Sequence, residues 1–126
     1  METAPQPLRL LVVEDHADTS RSLAQTLSRH GFLVTVVMDG ESGLALTAAQ
    51  PFDLLLSDLQ LPKMSGYALM ELVAERHGIP GIAVSGSGMK DDVARAREAG
   101  FSEHLIKPVT ITRLIEAIER AAKRGG

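Results

Sequence analysis

The chain contains no cysteine and no tryptophan among its 126 residues, and only 3% of its residues are aromatic. The absence of cysteine excludes disulfide bonds, thiolate metal sites and cysteine nucleophiles. Its three phenylalanines and one tyrosine are dispersed, so they offer no platform for stacking nucleic-acid bases. The formal net charge of −3 argues against nucleic acid or an anionic membrane as a direct partner.

Long hydrophobic runs are also missing, and none approaches the ~20 residues that a membrane-spanning helix needs. The segment 1–7 has no basic stretch followed by a cleavable apolar stretch, so it lacks the pattern of a secretory signal. We therefore expect a cytoplasmic protein. Without repeats, low-complexity segments or linkers, the length predicts one domain over 8–123 with flexible tails at 1–7 and 124–126.

Strand-like and helix-like segments alternate along the chain. Apolar runs typical of buried strands cover 8–13, 33–37, 52–57, 80–85 and 103–106. Apolar periodicity and capping residues predict helices over 17–29, 40–49, 66–76, 90–99 and 110–123. Five strands alternating with five helices predict an α/β fold with a doubly wound parallel sheet.

Polar residues follow four of these strands, namely the pair Glu14-Asp15, then Asp58, Ser85 and Lys107. The carboxyl ends of parallel strands form the ligand-binding edge of an open α/β sheet. Three carboxylates there predict a Mg²⁺ site, although paired acidic residues at a strand end are also common as solvated loop charges. His16 follows the acidic pair and is expected only to line the pocket.

Asp58 suits a second role, because a carboxylate nucleophile can form an aspartyl phosphate. The segment after it is a loop, which weakens the alternative of a helix-capping aspartate. Lys107 precedes Pro108, so its backbone is held extended and its ammonium is directed toward the shared edge. Ser85 is unconvincing as a nucleophile, because no histidine is identified as its base, but its hydroxyl can donate to a phosphoryl oxygen.

In combination, these residues resemble the receiver domain of two-component response regulators from about Leu8 to Ala122. The acidic pair, the acceptor aspartate, the hydroxyl and the Lys-Pro pair occur in the family's order. The loop from Asp58 to Gly66 is also similar to the family's Asp-x-x-x-Pro-x-Met-x-Gly pattern. The resemblance implies a flavodoxin-like sheet of five strands in the order 2-1-3-4-5 with five helices.

The resemblance also implies a role for each site residue. Asp58 would take a phosphoryl group from a phosphohistidine of a sensor histidine kinase or histidine phosphotransfer protein. Mg²⁺ would be held by Glu14, Asp15, Asp58 and the backbone carbonyl of Gln60, while Ser85 and Lys107 contact the phosphoryl oxygens. Gln60 and Ser87 would tune dephosphorylation. The chain would catalyse only its own phosphorylation and dephosphorylation.

The output face is expected over roughly 90–123, where a weak homodimer is also expected. The family's switch position, usually tyrosine or phenylalanine, falls on His104, which can hydrogen-bond or titrate. The stretches 85–88 and 99–109 resemble receivers fused to hybrid sensor kinases.

Two other functions compete with the phosphoacceptor hypothesis. One is a Mg²⁺-dependent phosphohydrolase with Asp58 as nucleophile, but the second acid of the dehalogenase-like Asp-x-Asp motif is replaced by Gln60. The other is a flavodoxin-like or pseudo-receiver module that acts only through protein contacts. The intact set of acceptor residues argues against this second alternative.

Overall fold

The computed structural model describes residues 6–86, 88 and 90–125. Its strands are β1 (Arg9–Val13), β2 (Leu33–Val37), β3 (Leu54–Asp58), β4 (Gly81–Ser85) and β5 (Phe101–Ile106). The helices are α1 (Ala17–Arg29), α2 (Gly40–Ala49), α3 (Gly66–His77), α4 (Lys90–Ala99) and α5 (Ile111–Gly125). Among the described residues, no helix combines the length and apolar character required to span a bilayer.

The five strands form one sheet in the order β2-β1-β3-β4-β5, and each neighbouring pair is parallel. Helices cover both faces, because a parallel sheet needs crossover connections. Leu10 and Val12 of β1 pack with α1 and α5, while Leu11 and Val13 face α2, α3 and α4. This burial of alternate side chains on two faces explains why the strands are continuous apolar runs. The predicted α/β fold, strand order and helix number are confirmed.

Several helix ends follow the predicted capping chemistry. The Asp39 carboxylate accepts a hydrogen bond from Ser42 N at 2.7 Å, and Ser65 Oγ accepts one from Ala68 N at 3.2 Å. Gly31 and Gly100 follow α1 and α4 with φ values of 92° and 118°, a region that favours glycine. These caps fix where each helix begins or ends relative to the sheet.

Some element boundaries differ from the prediction. The third strand begins at residue 54, not 52, because the Asp53 carboxylate, in place of a strand carbonyl, accepts the hydrogen bond from Arg9 N at 2.8 Å, and it also accepts two from the Arg9 guanidinium at 3.1 Å. The last strand begins at residue 101, two residues early, with an irregular register against β4.

The last helix also differs from the prediction at both ends. Its first turn is capped by Thr110, whose Oγ1 accepts a hydrogen bond from Arg113 N at 3.3 Å. Arg124 and Gly125 continue the helix, although they were predicted to form a tail. Residues 1–5 of the predicted N-terminal tail and Gly126 lie outside the described residues.

Candidate functional site

An open cleft of about 860 Å³ lies at the carboxyl ends of the strands. Residues at the ends of strands and in the connections that follow them line it, among them Asp15, Asp58, Gln60, Ser85 and Lys107. These are five of the residues that the sequence predicted to meet there. The sheet order explains the meeting, because β3 lies between β1 and β4 while β5 follows β4 at the edge.

Lys107 connects the carboxylate of Glu14, which follows β1, with that of Asp58, the last residue of β3. Its Nζ donates hydrogen bonds to Asp58 Oδ2 at 3.0 Å and to Glu14 Oε2 at 3.2 Å. Burial by itself would lower the pKa of Lys107, but the hydrogen bonds and charges of Asp58 and Glu14 outweigh it and raise the pKa. Lys107 N also donates to Ser85 O at 2.8 Å, and the Lys107–Pro108 peptide is cis. The ammonium is therefore held charged beside the predicted acceptor.

Asp58 is 8% exposed at the last position of β3. Its Oδ1 accepts a hydrogen bond from Gln60 N at 3.1 Å, and its Oδ2 faces Lys107. Gly66 at the start of α3 lies against this segment, because Gly66 N donates to Leu59 O at 2.9 Å. A Cβ on Gly66 would overlap the Asp58 carbonyl oxygen. Only glycine allows α3 to approach the acceptor strand so closely.

His16 has a larger part in the site than the sequence indicated. Its Nδ1 lies 2.8 Å from Glu14 Oε1 and 3.2 Å from Asp15 Oδ1. The hydrogen bond to Glu14 raises the pKa of His16, and the negative charges of Asp15 and Glu14 add to the effect. The signal available in the sequence was its position directly after two acidic residues.

The acidic residues offer a donor set that suits a hard divalent cation. Glu14 is 4% exposed, and ligand atoms of Glu14, Asp15 and His16 lie within 4.8 Å of one another. Asp15 Oδ1 is buried and accepts no hydrogen bond from the described residues. Such an oxygen is suited to metal coordination, and Mg²⁺ prefers carboxylate and carbonyl oxygens. The residues present therefore fit Mg²⁺.

Ser85, which lines the cleft, contacts His104 on the neighbouring strand. Ser85 Oγ lies 2.8 Å from His104 Nε2. Burial lowers the pKa of His104, with the charge of Asp92 opposing this effect. The sequence indicated that His104 can hydrogen-bond, but it gave no partner.

The outer wall of the cleft contains residues that sequence reasoning did not single out for function. The Arg95 guanidinium lies 4.1 Å from the centroid of the Tyr67 ring, a cation–π distance. Burial raises the pKa of Tyr67, and the negative charge of Asp92 adds to this. All three residues line the cleft, and they come from two successive helices, α3 and α4.

A family model, described as the response regulator receiver domain, matches residues 10–119 of the chain. The chain belongs to the response regulator receiver domain family. It is therefore a receiver domain of two-component signalling, and phosphoryl acceptance is the known role of such domains. Receiver domains are signalling domains, bind Mg²⁺ in the active site and interact with histidine kinases or phosphotransfer proteins.

Two curated relatives illustrate the likeness. The receiver domain is 33% identical over 122 residues to the transcriptional regulatory protein PdtaR of Mycobacterium tuberculosis, covering 96% of this chain and 60% of PdtaR. It is 34% identical over 127 residues to the virulence sensor protein BvgS of Bordetella pertussis, covering 91% of this chain and 10% of BvgS. The chain spans 50% to 60% of the length of the first curated relatives that it matches.

Among solved structures, the receiver domain of a sensor histidine kinase from Pseudomonas aeruginosa PAO1 has a TM-score of 0.85 to this chain at 25% identity. The match covers 93% of this chain and 98% of that one, whose active-site cleft holds a coordinated magnesium ion. The predicted family, fold class and receiver function are thus confirmed. Ser87, a predicted tuning residue, lies outside the described residues.

Proposed function

We propose that Asp58 accepts the phosphoryl group, from a phosphohistidine of a sensor histidine kinase or a histidine phosphotransfer protein. The observation that carries this proposal is the pair of hydrogen bonds from Lys107 Nζ to Asp58 and Glu14. These bonds place a charged ammonium against one carboxylate that can act as a nucleophile and another that can help to hold a metal. A lysine that served only as a solvated surface charge would not be held between two buried carboxylates.

In the proposed reaction, a carboxylate oxygen of Asp58 attacks the phosphorus of the donor. The oxygen–phosphorus bond forms as the nitrogen–phosphorus bond of the phosphohistidine breaks. The electron pair of the broken bond returns to the donor ring, which is already protonated on its other nitrogen and therefore leaves as a neutral imidazole. Lys107 neutralises charge on a phosphoryl oxygen, and Ser85 donates a hydrogen bond to another. Ser85 is buried and Lys107 is held by hydrogen bonds to two carboxylates, which supports these roles, because the orientation of both side chains is restricted before the donor arrives.

The metal would be held by Glu14, Asp15, Asp58 and the backbone carbonyl of Gln60. When bound there, Mg²⁺ offsets the negative charge of the transferring phosphoryl oxygens. Asp15 Oδ1 is shielded from solvent, accepts no hydrogen bond from the described residues and lies 3.2 Å from His16 Nδ1, so its oxygen remains available to a cation, which supports this assignment. The Glu14 carboxylate is held in a fixed orientation by its hydrogen bonds with His16 and Lys107.

Phosphorylation is proposed to shift the face formed by α4, β5 and α5 between inactive and active states, with His104 as its switch residue. Ile106 on β5 is a large apolar side chain that is 49% exposed, which supports partner contact or a weak homodimer at this face. Gln60 and Ser87 are proposed to tune dephosphorylation, the only other reaction that the domain would catalyse. We further propose a cytoplasmic location, with neither nucleic acid nor membrane as a direct partner.

A link to hybrid sensor kinases is the proposed subtype. The similarity to BvgS, a sensor protein, and to the receiver domain of a P. aeruginosa sensor histidine kinase supports it. A receiver of this kind passes its phosphoryl group onward or tunes a kinase.

The direct test incubates the protein with acetyl phosphate, with and without Mg²⁺, and measures its intact mass. We expect one added phosphoryl group on the wild-type protein only with Mg²⁺, and none on Asp58→Asn. Asp53→Asn is the matched control, because Asp53 pairs with Arg9 away from the cleft, and it should be labelled like the wild type. Equal labelling of Asp58→Asn, or no labelling of the wild type, would contradict the proposal.

A second experiment tests the output face. Hydrogen exchange is compared with and without beryllofluoride, a phosphoryl mimic, in the presence of Mg²⁺. The largest change in protection is expected within residues 90–123. Bound beryllofluoride with unchanged exchange there would contradict the proposed shift while leaving the acceptor assignment intact.

A further inference from the structure

The hydrogen bond between Ser85 and His104 crosses two neighbouring strands. In the parallel register of β4 and β5, Ala83 lies opposite His104, and Ser85 is two residues further along β4. Residues two apart on a strand point to the same face. His104 therefore reaches diagonally to Ser85, and the 2.8 Å contact between Nε2 and Oγ is as short as a well-formed hydrogen bond.

The second ring nitrogen of His104 shows which nitrogen carries the proton. His104 Nδ1 is buried and has no hydrogen-bond partner among the described residues. A protonated Nδ1 would be an orphaned buried N–H donor, which folded proteins tolerate less readily than an unused acceptor. An imidazolium cation would carry the same orphaned donor. The geometry thus favours a neutral ring with its proton on Nε2.

Charged groups around His104 are consistent with a neutral ring. Asp92 on α4 raises the pKa of His104, but burial is the larger effect and the net shift is downward. Arg97 of α4 and Glu103 of β5 line a small cavity with His104, and Glu103 is itself bonded to Arg120 at 3.1 Å. The effect of burial on the pKa of His104 thus exceeds that of the Asp92 charge, and the carboxylate of Glu103 is already paired with Arg120 of α5.

We propose that His104 is a positioning residue, which donates a hydrogen bond from Nε2 to Ser85 Oγ and so turns the Ser85 hydroxyl proton toward a phosphoryl group on Asp58. A hydroxyl oxygen that accepts from one side donates its single proton in another direction. Ser85 and Asp58 line the same cleft, so a phosphoryl oxygen there is an acceptor for that proton. The inference rests on the proposed function, because it needs a phosphoryl group at Asp58.

The first test observes the protonation of His104 in the unliganded wild-type protein. Long-range proton–nitrogen NMR spectra of ¹⁵N-labelled protein distinguish a protonated from an unprotonated ring nitrogen. The His104 signals are assigned as those missing from the spectrum of His104→Gln. We expect a proton on Nε2 and none on Nδ1 at neutral pH. The opposite tautomer, or an imidazolium, would overturn the proposal.

The second test measures the affinity for beryllofluoride in the presence of Mg²⁺. His104→Met removes the donor and should weaken binding about fivefold, the usual effect of one lost hydrogen bond. His104→Gln retains an amide N–H at similar reach and should restore most of the affinity. In the Ser85→Ala background, His104→Met should have no further effect, because the hydroxyl that it positions is already absent.

A similar loss from His104→Met with and without Ser85 would overturn the proposal, because His104 would then act on the fold and not on the hydroxyl. A wild-type protein that bound no beryllofluoride would instead contradict the proposed function. The NMR experiment uses the unliganded protein, so it decides the tautomer in either case.

Discussion

Replacing Lys107 with methionine removes the one cation that contacts both Asp58 and Glu14 among the described residues. The side chain of methionine has a similar length, so the change mainly deletes the charge. Glu14 and Asp58 have side chains that are 5% and 9% exposed, and without Lys107 Asp58 would lose its ammonium partner while Glu14 would keep only its contact with the exposed His16. We expect Lys107→Met to lower the free energy of unfolding in the absence of divalent metal.

The expected magnitude lies between two limits. Breaking a fully buried ion pair costs roughly 3–5 kcal/mol, whereas exposed pairs contribute about 0–1 kcal/mol. The Lys107 side chain is 34% exposed, so solvent already screens part of the interaction. Two charge-assisted hydrogen bonds are lost, each with a typical net contribution of about 1.5–3 kcal/mol before this screening. We therefore expect a loss of about 2–3 kcal/mol.

Mg²⁺ should offset part of this loss. A unit positive charge close to a divalent cation, such as the Lys107 ammonium, repels that cation by about 1–2 kcal/mol even at a water-like dielectric constant. Removing the ammonium should therefore tighten Mg²⁺ binding roughly tenfold. Since a ligand that binds only the folded state stabilises it, the gain in stability with added Mg²⁺ should be larger for Lys107→Met than for the wild type.

The assay is urea unfolding followed by circular dichroism, with EDTA or with saturating Mg²⁺. Lys123→Met is the matched control, because Lys123 is exposed in the last turn of α5, and its stability should stay within about 0.5 kcal/mol of the wild type. A Lys107→Met protein as stable as the wild type without metal would show that the ammonium does not stabilise the buried carboxylates. An equal gain from Mg²⁺ in both proteins would show that the ammonium does not repel the cation.

Three further predictions concern the packing and titration of single residues. Gly66→Ala should cost about 2 kcal/mol in urea unfolding because its Cβ overlaps the Asp58 carbonyl oxygen, whereas Gly86→Ala, in open space, should cost less than about 0.5 kcal/mol; equal losses would contradict this. Arg9 lowers the pKa of Asp53, so Asp53→Asn should lose about 1 kcal/mol near neutral pH, with the difference vanishing as the pH falls through that lowered pKa; a pH-independent difference would be inconsistent with the ion pair. Burial lowers the pKa of His104, so His104 of the unfolded chain takes up a proton at a higher pH than His104 of the folded protein, and the wild-type Tm should fall as the pH drops below about 6.5. His104→Gln should reduce this dependence of Tm on pH, and an equal dependence in both proteins would show that another group titrates.

The architecture followed from the sequence because both kinds of element leave a strong local signal. A parallel sheet that is buried on two faces needs continuous apolar strands, and the caps at Asp39 and Ser65 lie where their side chains satisfy backbone N–H groups. The start of β3 was predicted incorrectly because the Arg9–Asp53 pair joins residues far apart in the sequence. No local pattern signals such a pairing.

The site could be predicted only to the level of which residues meet. The strand ends bring together Asp58, Lys107 and the acidic pair, as the order of a parallel sheet requires. The contacts of His16 with two carboxylates, and of His104 with Ser85, depend on side-chain rotamers and on the register of neighbouring strands. The spacing of residues along the sequence does not determine these contact distances.

The role of Asp58 is tested by locating the phosphoryl group within the chain. After reaction with acetyl phosphate and Mg²⁺, borohydride reduces an aspartyl phosphate to homoserine, which tandem mass spectrometry of peptides identifies by position. We expect homoserine at position 58 and unmodified aspartate at positions 15 and 53. Homoserine at either of those positions with an unmodified Asp58 would contradict this expectation.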